Sequence, residues 1–118
     1  MSYQNTFNIP DAVKGDTFVG IEFTLTVNAI LSDLTGAVIK MQLKESNSST
    51  ALAVLTFDND LIGGITIIDA ENGVFQIDSQ VIDIPALCYF YDIQITYPNG
   101  DIKTYIRGRW TILPEVTT

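Results

Sequence analysis

The chain contains no histidine and a single cysteine among its 118 residues. Without histidine, a serine or cysteine nucleophile has no ordinary base to activate it, and the commonest transition-metal ligand is missing. One cysteine cannot close an internal disulfide, so nothing demands an oxidising compartment. Its setting, Leu87-Cys88-Tyr89-Phe90, reads as a small buried apolar group rather than a reactive thiolate. Basic residues are also scarce. Six Lys and Arg stand against fourteen Asp and Glu, a net charge of −8, which disfavours a nucleic-acid backbone or an anionic membrane surface as partner. No run approaches the roughly 18 apolar residues of a membrane span. The start, Met1-Ser2-Tyr3-Gln4-Asn5-Thr6, lacks the basic head and apolar centre of a signal peptide. The expectation is a soluble protein made in the cytoplasm, whose function lies in its surfaces rather than in a reaction.

What is present is alternation. From Thr17 to Asn28, Val19, Ile21, Phe23, Leu25 and Val27 alternate with Phe18, Gly20, Glu22, Thr24, Thr26 and Asn28. A period of two sets one row against a core and leaves the other mostly polar, as an antiparallel strand requires. A shorter strand, Tyr3 to Ile9, is expected to stop at Pro10, which suits an edge, and Lys14-Gly15-Asp16 turns into the long strand. Asp33-Leu34-Thr35-Gly36 turns into Ala37 to Lys44, where Ala37, Ile39, Met41 and Leu43 face away from Val38, Lys40, Gln42 and Lys44. A polar loop over Glu45 to Thr50 precedes Leu52 to Phe57, both of whose rows are largely apolar.

Ile65 to Ile68 and Val74 to Ile77 flank Asp69-Ala70-Glu71-Asn72-Gly73, and an Asn-Gly pair between apolar runs predicts a hairpin. Asp78 to Leu87 contains Pro85 and has no clean period, so it reads as a connection between sheets, with room for one helical turn. A last hairpin joins Cys88 to Tyr97 with Asp101 to Leu113 across Pro98-Asn99-Gly100. Tyr89, Tyr91, Ile93, Ile95 and Tyr97 form one inward row, matched by Ile106, Trp110 and Ile112. No long helix fits. About seven or eight short strands, with turns roughly every eight to twelve residues, predict one all-β domain over residues 1–118, an immunoglobulin-like antiparallel β-sandwich.

The order of turns carries a resemblance. Lys14-Gly15-Asp16-Thr17-Phe18, Asp33-Leu34-Thr35-Gly36-Ala37, Gly64-Ile65-Thr66-Ile67, Asn72-Gly73-Val74-Phe75 and Tyr91-Asp92-Ile93-Gln94-Ile95-Thr96-Tyr97-Pro98-Asn99-Gly100 follow one another as in the N-terminal domain of phage baseplate upper proteins and related small tail or virion domains. The chain resembles that family over roughly residues 11 to 113. The resemblance implies an immunoglobulin-like sandwich that joins virion components, with no reaction and no cofactor. Its partners would be other virion proteins or further copies of itself. In the family this domain precedes a longer fibre or receptor-binding region. A chain that stops at Thr118 is therefore expected to be a stand-alone tail or baseplate adaptor, or a head accessory subunit, made in the bacterial host and located in the virion.

Other candidate chemistry competes with plainer readings. Asp58-Asn59-Asp60 offers carboxylates to calcium, but lacks the glycine and distal glutamate of a loop built for that ion, so a solvated turn is the simpler reading. Asp69 and Glu71 flank an exposed hairpin tip, where two carboxylates have no pocket to separate their pKa values. Neither a metal nor a catalytic residue is therefore assigned. Lys103, Arg107 and Arg109 share strand parity and predict a local basic row, either a solvated face or a dock for an acidic partner. Tyr105 falls in the same row and is expected to face outward. The candidate interface residues are Val38, Phe90, Tyr105, Arg107 and Arg109, with Phe18 another apolar residue in a polar row. The rival reading is a carbohydrate-binding module that uses Tyr105 as an aromatic platform. Pro114-Glu115-Val116-Thr117-Thr118 has little to anchor it internally, so contact with another subunit is expected there.

Overall fold

The fold was taken from a computed structural model and is described for residues 5–27, 30–46 and 50–115. The expectations for Tyr3, Asn28, the centre of the 45–50 loop and residues 116–118 lie outside the described residues. The chain opens with β1 (Asn5–Thr6) and β2 (Ile9–Val13), then passes through the 14–16 turn to β3 (Thr17–Phe18), β4 (Ile21–Thr24) and β5 (Thr26–Val27). After β6 (Ile30–Leu31) come β7 (Val38–Lys44), β8 (Ala53–Asp58) and β9 (Ile65–Asp69). A 3-10 turn (Ala70–Asn72) leads to β10 (Val74–Ile77), β11 (Gln80–Val81), β12 (Leu87–Thr96) and β13 (Ile102–Leu113). Eight of these strands have four or more residues, which matches the expected strand number.

A large sheet runs β13-β12-β7-β8, and a small sheet runs β4-β10-β9. Their inner rows meet in one core: Ile39, Met41, Leu43, Tyr89, Ile93, Ile95 and Trp110 from the large sheet against Ile65, Phe75 and Ile77 from the small one. Burying each such side chain contributes about 1.5–3 kcal/mol. The chain crosses between the two main sheets after β2, β4, β8 and β10, and forms hairpins at β7-β8, β9-β10 and β12-β13. This is the immunoglobulin-like order, a four-strand sheet of the GFCC′ kind over a BED sheet. Tyr89, near the start of β12, donates its hydroxyl to the Pro85 carbonyl four residues upstream, as in the tyrosine corner of such sandwiches. One departure from an all-antiparallel sandwich is that β1 and β2 lie parallel to β13 along its outer edge.

Three expectations about strands need correction. The long strand from Thr17 to Asn28 is broken into β3, β4 and β5, which pair with β11, β10 and β6 respectively. The second break is at Leu25, whose N–H donates to the Gly73 carbonyl; the first is at Gly20, whose φ is +90°. A Cβ there would stand 2.8 Å from the Ile77 carbonyl oxygen, so the site admits only glycine without rearrangement. The turn of the backbone there resets the alternation: Phe18 packs inward on Trp110, Val19 is 85% exposed, and Ile21, Phe23 and Leu25 keep the inner row. The first strand does not stop at Pro10. It divides at residues 7–8, and Pro10 lies within β2, on the sheet edge, where a missing N–H is tolerated. Residues 78–87 do cross between the sheets, but with the short strand β11 in place of a helical turn.

The remaining turns follow the sequence. The Asp33 carboxylate accepts hydrogen bonds from the Thr35 N–H and hydroxyl, at 2.9 and 2.6 Å, which hold its pKa below the usual carboxylate value. The Ala37 N–H then closes on the Leu34 carbonyl at 3.0 Å. Gly73, at φ +73°, ends the 3-10 turn at the predicted Asn-Gly hairpin. Cys88 corrects another expectation. It is exposed, because its place in β12 points it to the outer side of the large sheet rather than into the core.

Candidate protein-binding face

The outer face of the large sheet is set by the registers of β7, β12 and β13. Lys44 stands opposite Phe90, and Phe90 opposite Arg109. The next row is Gln42, Asp92 and Arg107, continued by Thr6 of β1, and the row after it is Lys40, Gln94 and Thr104. Four of the six basic residues, Lys40, Lys44, Arg107 and Arg109, therefore share one face of a chain whose net charge is −8. Among the described residues, the acidic groups in these rows are Asp92 and Asp58, the latter opposite Lys40 and only 6% exposed. The Arg109 guanidinium lies 5.1 Å from the centroid of the half-buried Phe90 ring. At an exposed site such a stack contributes about 0.5–1 kcal/mol and fixes the direction of the charge. Beside it is a shallow open depression of about 580 Å³, lined by Thr6, Asn8, Phe90, Tyr91, Arg107, Gly108 and Arg109.

The depression exists because the chain passes close over Gly108. The Phe7 N–H donates to the Arg107 carbonyl (2.8 Å), and the Arg109 N–H donates to Asn8 Oδ1 (3.1 Å). Between these bonds the Phe7 carbonyl lies over Gly108 and accepts the Tyr91 hydroxyl. Burial pushes the Tyr91 phenol well above its ordinary pKa. The hydroxyl therefore stays protonated and donates.

Of the five residues assigned to the interface from sequence, Phe90, Arg107 and Arg109 come together. Val38 lies on the same face but at its far end. It pairs with Thr96, whereas Phe90 pairs with Lys44 six residues along β7, about 20 Å away at the rise of a strand. Tyr105 does not face outward, because the register slips there: Ile93 faces Ile106 and Gln94 faces Thr104. Tyr105 is the extra residue of a β-bulge, so it and Ile106 both turn into the core. Its hydroxyl lies 3.5 Å from that of Tyr97, and burial raises its pKa to about 12. The bulge also reverses the parity of what precedes it. Lys103 faces Ile95 of the inner row, so it leaves the face of Arg107 and Arg109. Sequence reasoning missed Lys40 and Lys44 as site residues. Their signal was the polar row of β7, and only the pairing with β12 joins that row to Phe90.

The other candidates have structural roles. The Asp58 carboxylate accepts backbone N–H groups of Asp60, Ile62 and Gly63, each at 3.0 Å, and these bonds hold its pKa below the usual value. The Asn59 side chain accepts the Ile39 N–H and donates to the Ala37 carbonyl. The Asp58-Asn59-Asp60 segment is thus organised by its own backbone. The Asp69 carboxylate accepts the Asn72 amide at 2.7 Å on the exposed hairpin. The rings of Tyr89, Tyr91, Tyr105 and Trp110 are buried, and Tyr105, the platform of the carbohydrate reading, is among them. Among the described residues, no three His, Cys, Asp or Glu side chains converge to hold a metal ion, and no helix is long and apolar enough to cross a membrane. In comparisons with known proteins, no family model and no curated protein matches the chain. Fold and face define an immunoglobulin-like sandwich with a basic, aromatic outer sheet face.

Proposed function

We propose that this chain is a non-enzymatic structural subunit of a phage particle, a tail or baseplate adaptor or a head accessory, and that it docks through the outer face of its large sheet. The observation that carries the docking reading is the gathering of Lys40, Lys44, Arg107 and Arg109 on one face of an acidic molecule. Such a face attracts and orients an acidic protein surface while the rest of the molecule repels it, which gives register as well as attachment. The phage assignment is supported by the ordered turns that resemble baseplate upper proteins. The absence of histidine supports a role without acid-base chemistry.

The test is mass spectrometry of gradient-purified particles from infected host cells, followed by cross-linking to identify the neighbour. The expected result is a fixed copy number per particle, with cross-links from Lys40 and Lys44. A chain that stays in the soluble fraction while particles assemble without it would refute the proposal. Lys44→Gln/Arg109→Gln is expected to lower incorporation while leaving the fold intact, with the thermal midpoint lowered by no more than about 5 °C through loss of the Arg109 stack on Phe90 and of contacts of the half-buried Lys44.

A further inference from the structure

We infer that the acidic surface bound by this face is a second copy of the same chain, stacked head to tail through the outer face of its small sheet. This rests on the assembly reading above and names its partner. All six basic residues stand at positions 14, 40, 44, 103, 107 and 109, so the stretches 15–39 and 45–102 contain none. Strands β4, β9 and β10, which build the small sheet, lie wholly within those stretches. The outward row of that sheet holds Glu22 and Thr24 of β4, Val74 and Gln76 of β10, and Thr66 and Ile68 of β9. Asp69 and Glu71 at the hairpin add exposed carboxylates, and Asp78 follows β10.

The core separates the two outer faces, so the sandwich carries opposite charge on opposite sides. Each face also presents apolar groups: half-buried Phe90 and Val38 on the basic side, and half-buried Val74 with Ile68, 50% exposed, on the acidic side. A surface that meets its complement on the far side of an identical molecule makes a heterologous contact, which propagates into a ring or a stack instead of closing as a two-fold dimer. At physiological salt the screening length is about 8 Å, so overall repulsion between two acidic chains is damped while charges in contact still attract. The acidic platform is only three strands wide. The pairwise contact is therefore weak and shows itself at the upper end of a concentration series.

Two variants each disable one face by neutralising it: Lys44→Gln/Arg109→Gln and Glu22→Gln/Glu71→Gln. Sedimentation velocity over a concentration series is expected to show the wild type growing beyond a dimer. Each variant alone should stay monomeric, with association weakened on the order of tenfold or more. An equimolar mixture of the two should form a dimer and stop there, because one good face remains on each partner. A wild type that is monomeric throughout, or a mixture that stays monomeric, overturns the inference, as does a wild type that closes as a dimer. Incorporation into particles separates this failure from failure of the assembly reading. If only Lys44→Gln/Arg109→Gln is excluded from particles, the basic face binds another component and the assembly reading stands. If neither variant is excluded, both readings fall.

Discussion

Replacing Gly108 by alanine tests the crossing that builds the depression on the binding face. A Cβ added there would lie 2.0 Å from the Phe7 carbonyl oxygen and 2.7 Å from its carbon. Ordinary contact begins at 3.4 Å, so the 7–8 segment must move by about 1.4 Å, and backbone cannot rotate aside as a side-chain tip can. That movement breaks the Phe7 N–H to Arg107 carbonyl bond, the Arg109 N–H to Asn8 bond and the Tyr91 hydroxyl bond. At about 1 kcal/mol each, and with the Tyr91 hydroxyl left unpaired against the core, the expected loss is about 3–4 kcal/mol. For a domain of this size that is a fall of roughly 10–15 °C in thermal midpoint.

A double-mutant cycle makes the reasoning specific. Tyr91→Phe alone removes one hydrogen bond and should cost about 1 kcal/mol in urea unfolding. In the Gly108→Ala background the same change should cost nothing and recover part of the loss, because the bond is already gone and the unpaired hydroxyl is removed. Full additivity of the two substitutions would show that the Phe7 carbonyl is not held as described. A Gly108→Ala variant within about 0.5 kcal/mol of wild type would refute the close crossing itself.

Two further predictions concern ionisation. Asp58 has a folded-state pKa below its unfolded value of about 3.9, so its stabilising effect is complete above that pH and is lost as pH falls through the folded pKa. Asp58→Asn should thus lower the thermal midpoint clearly at pH 7 and progressively less as pH falls below about 3.9, and a loss that does not change with pH would contradict the bonding of its carboxylate to the 60–63 backbone. Tyr91 and Tyr105 have raised folded-state values, about 12 for Tyr105, so the stability they lend is whole below about pH 10 and disappears as pH rises through the folded pKa. Near-ultraviolet titration should find these two phenols still protonated at about pH 11 in the folded protein; all five tyrosines ionising together near pH 10 would place the rings in solvent.

Local patterns revealed much of this fold before any tertiary information. Alternation over residues 38–44 and 89–95 assigns inner and outer rows directly, because a strand's period is two and one face must be buried. Asp33-Leu34-Thr35-Gly36 and Asn72-Gly73 fix their turns through side-chain capping and a positive φ, both local effects. The failures occurred where geometry depends on a distant partner. Gly20 breaks the longest alternating run because the Ile77 carbonyl is close by, and nothing near Gly20 in sequence announces that. Cys88 lies among apolar neighbours, yet strand parity puts it outside.

The candidate site divides in the same way. The sequence by itself determined that the chemistry is not that of a histidine-dependent enzyme, that cations are few, and that Phe90, Arg107 and Arg109 stand in outward rows. Tertiary structure decided which of these residues meet. The register between β7 and β12 brought Lys40 and Lys44 to Phe90, and one bulged residue in β13 sent Tyr105 into the core and Lys103 to the other face. A sequence pattern specifies which side of a strand a residue takes. Which residue it faces depends on hydrogen-bond register between strands some 50 residues apart along the chain, and that is settled only when the two sheets close on a common core.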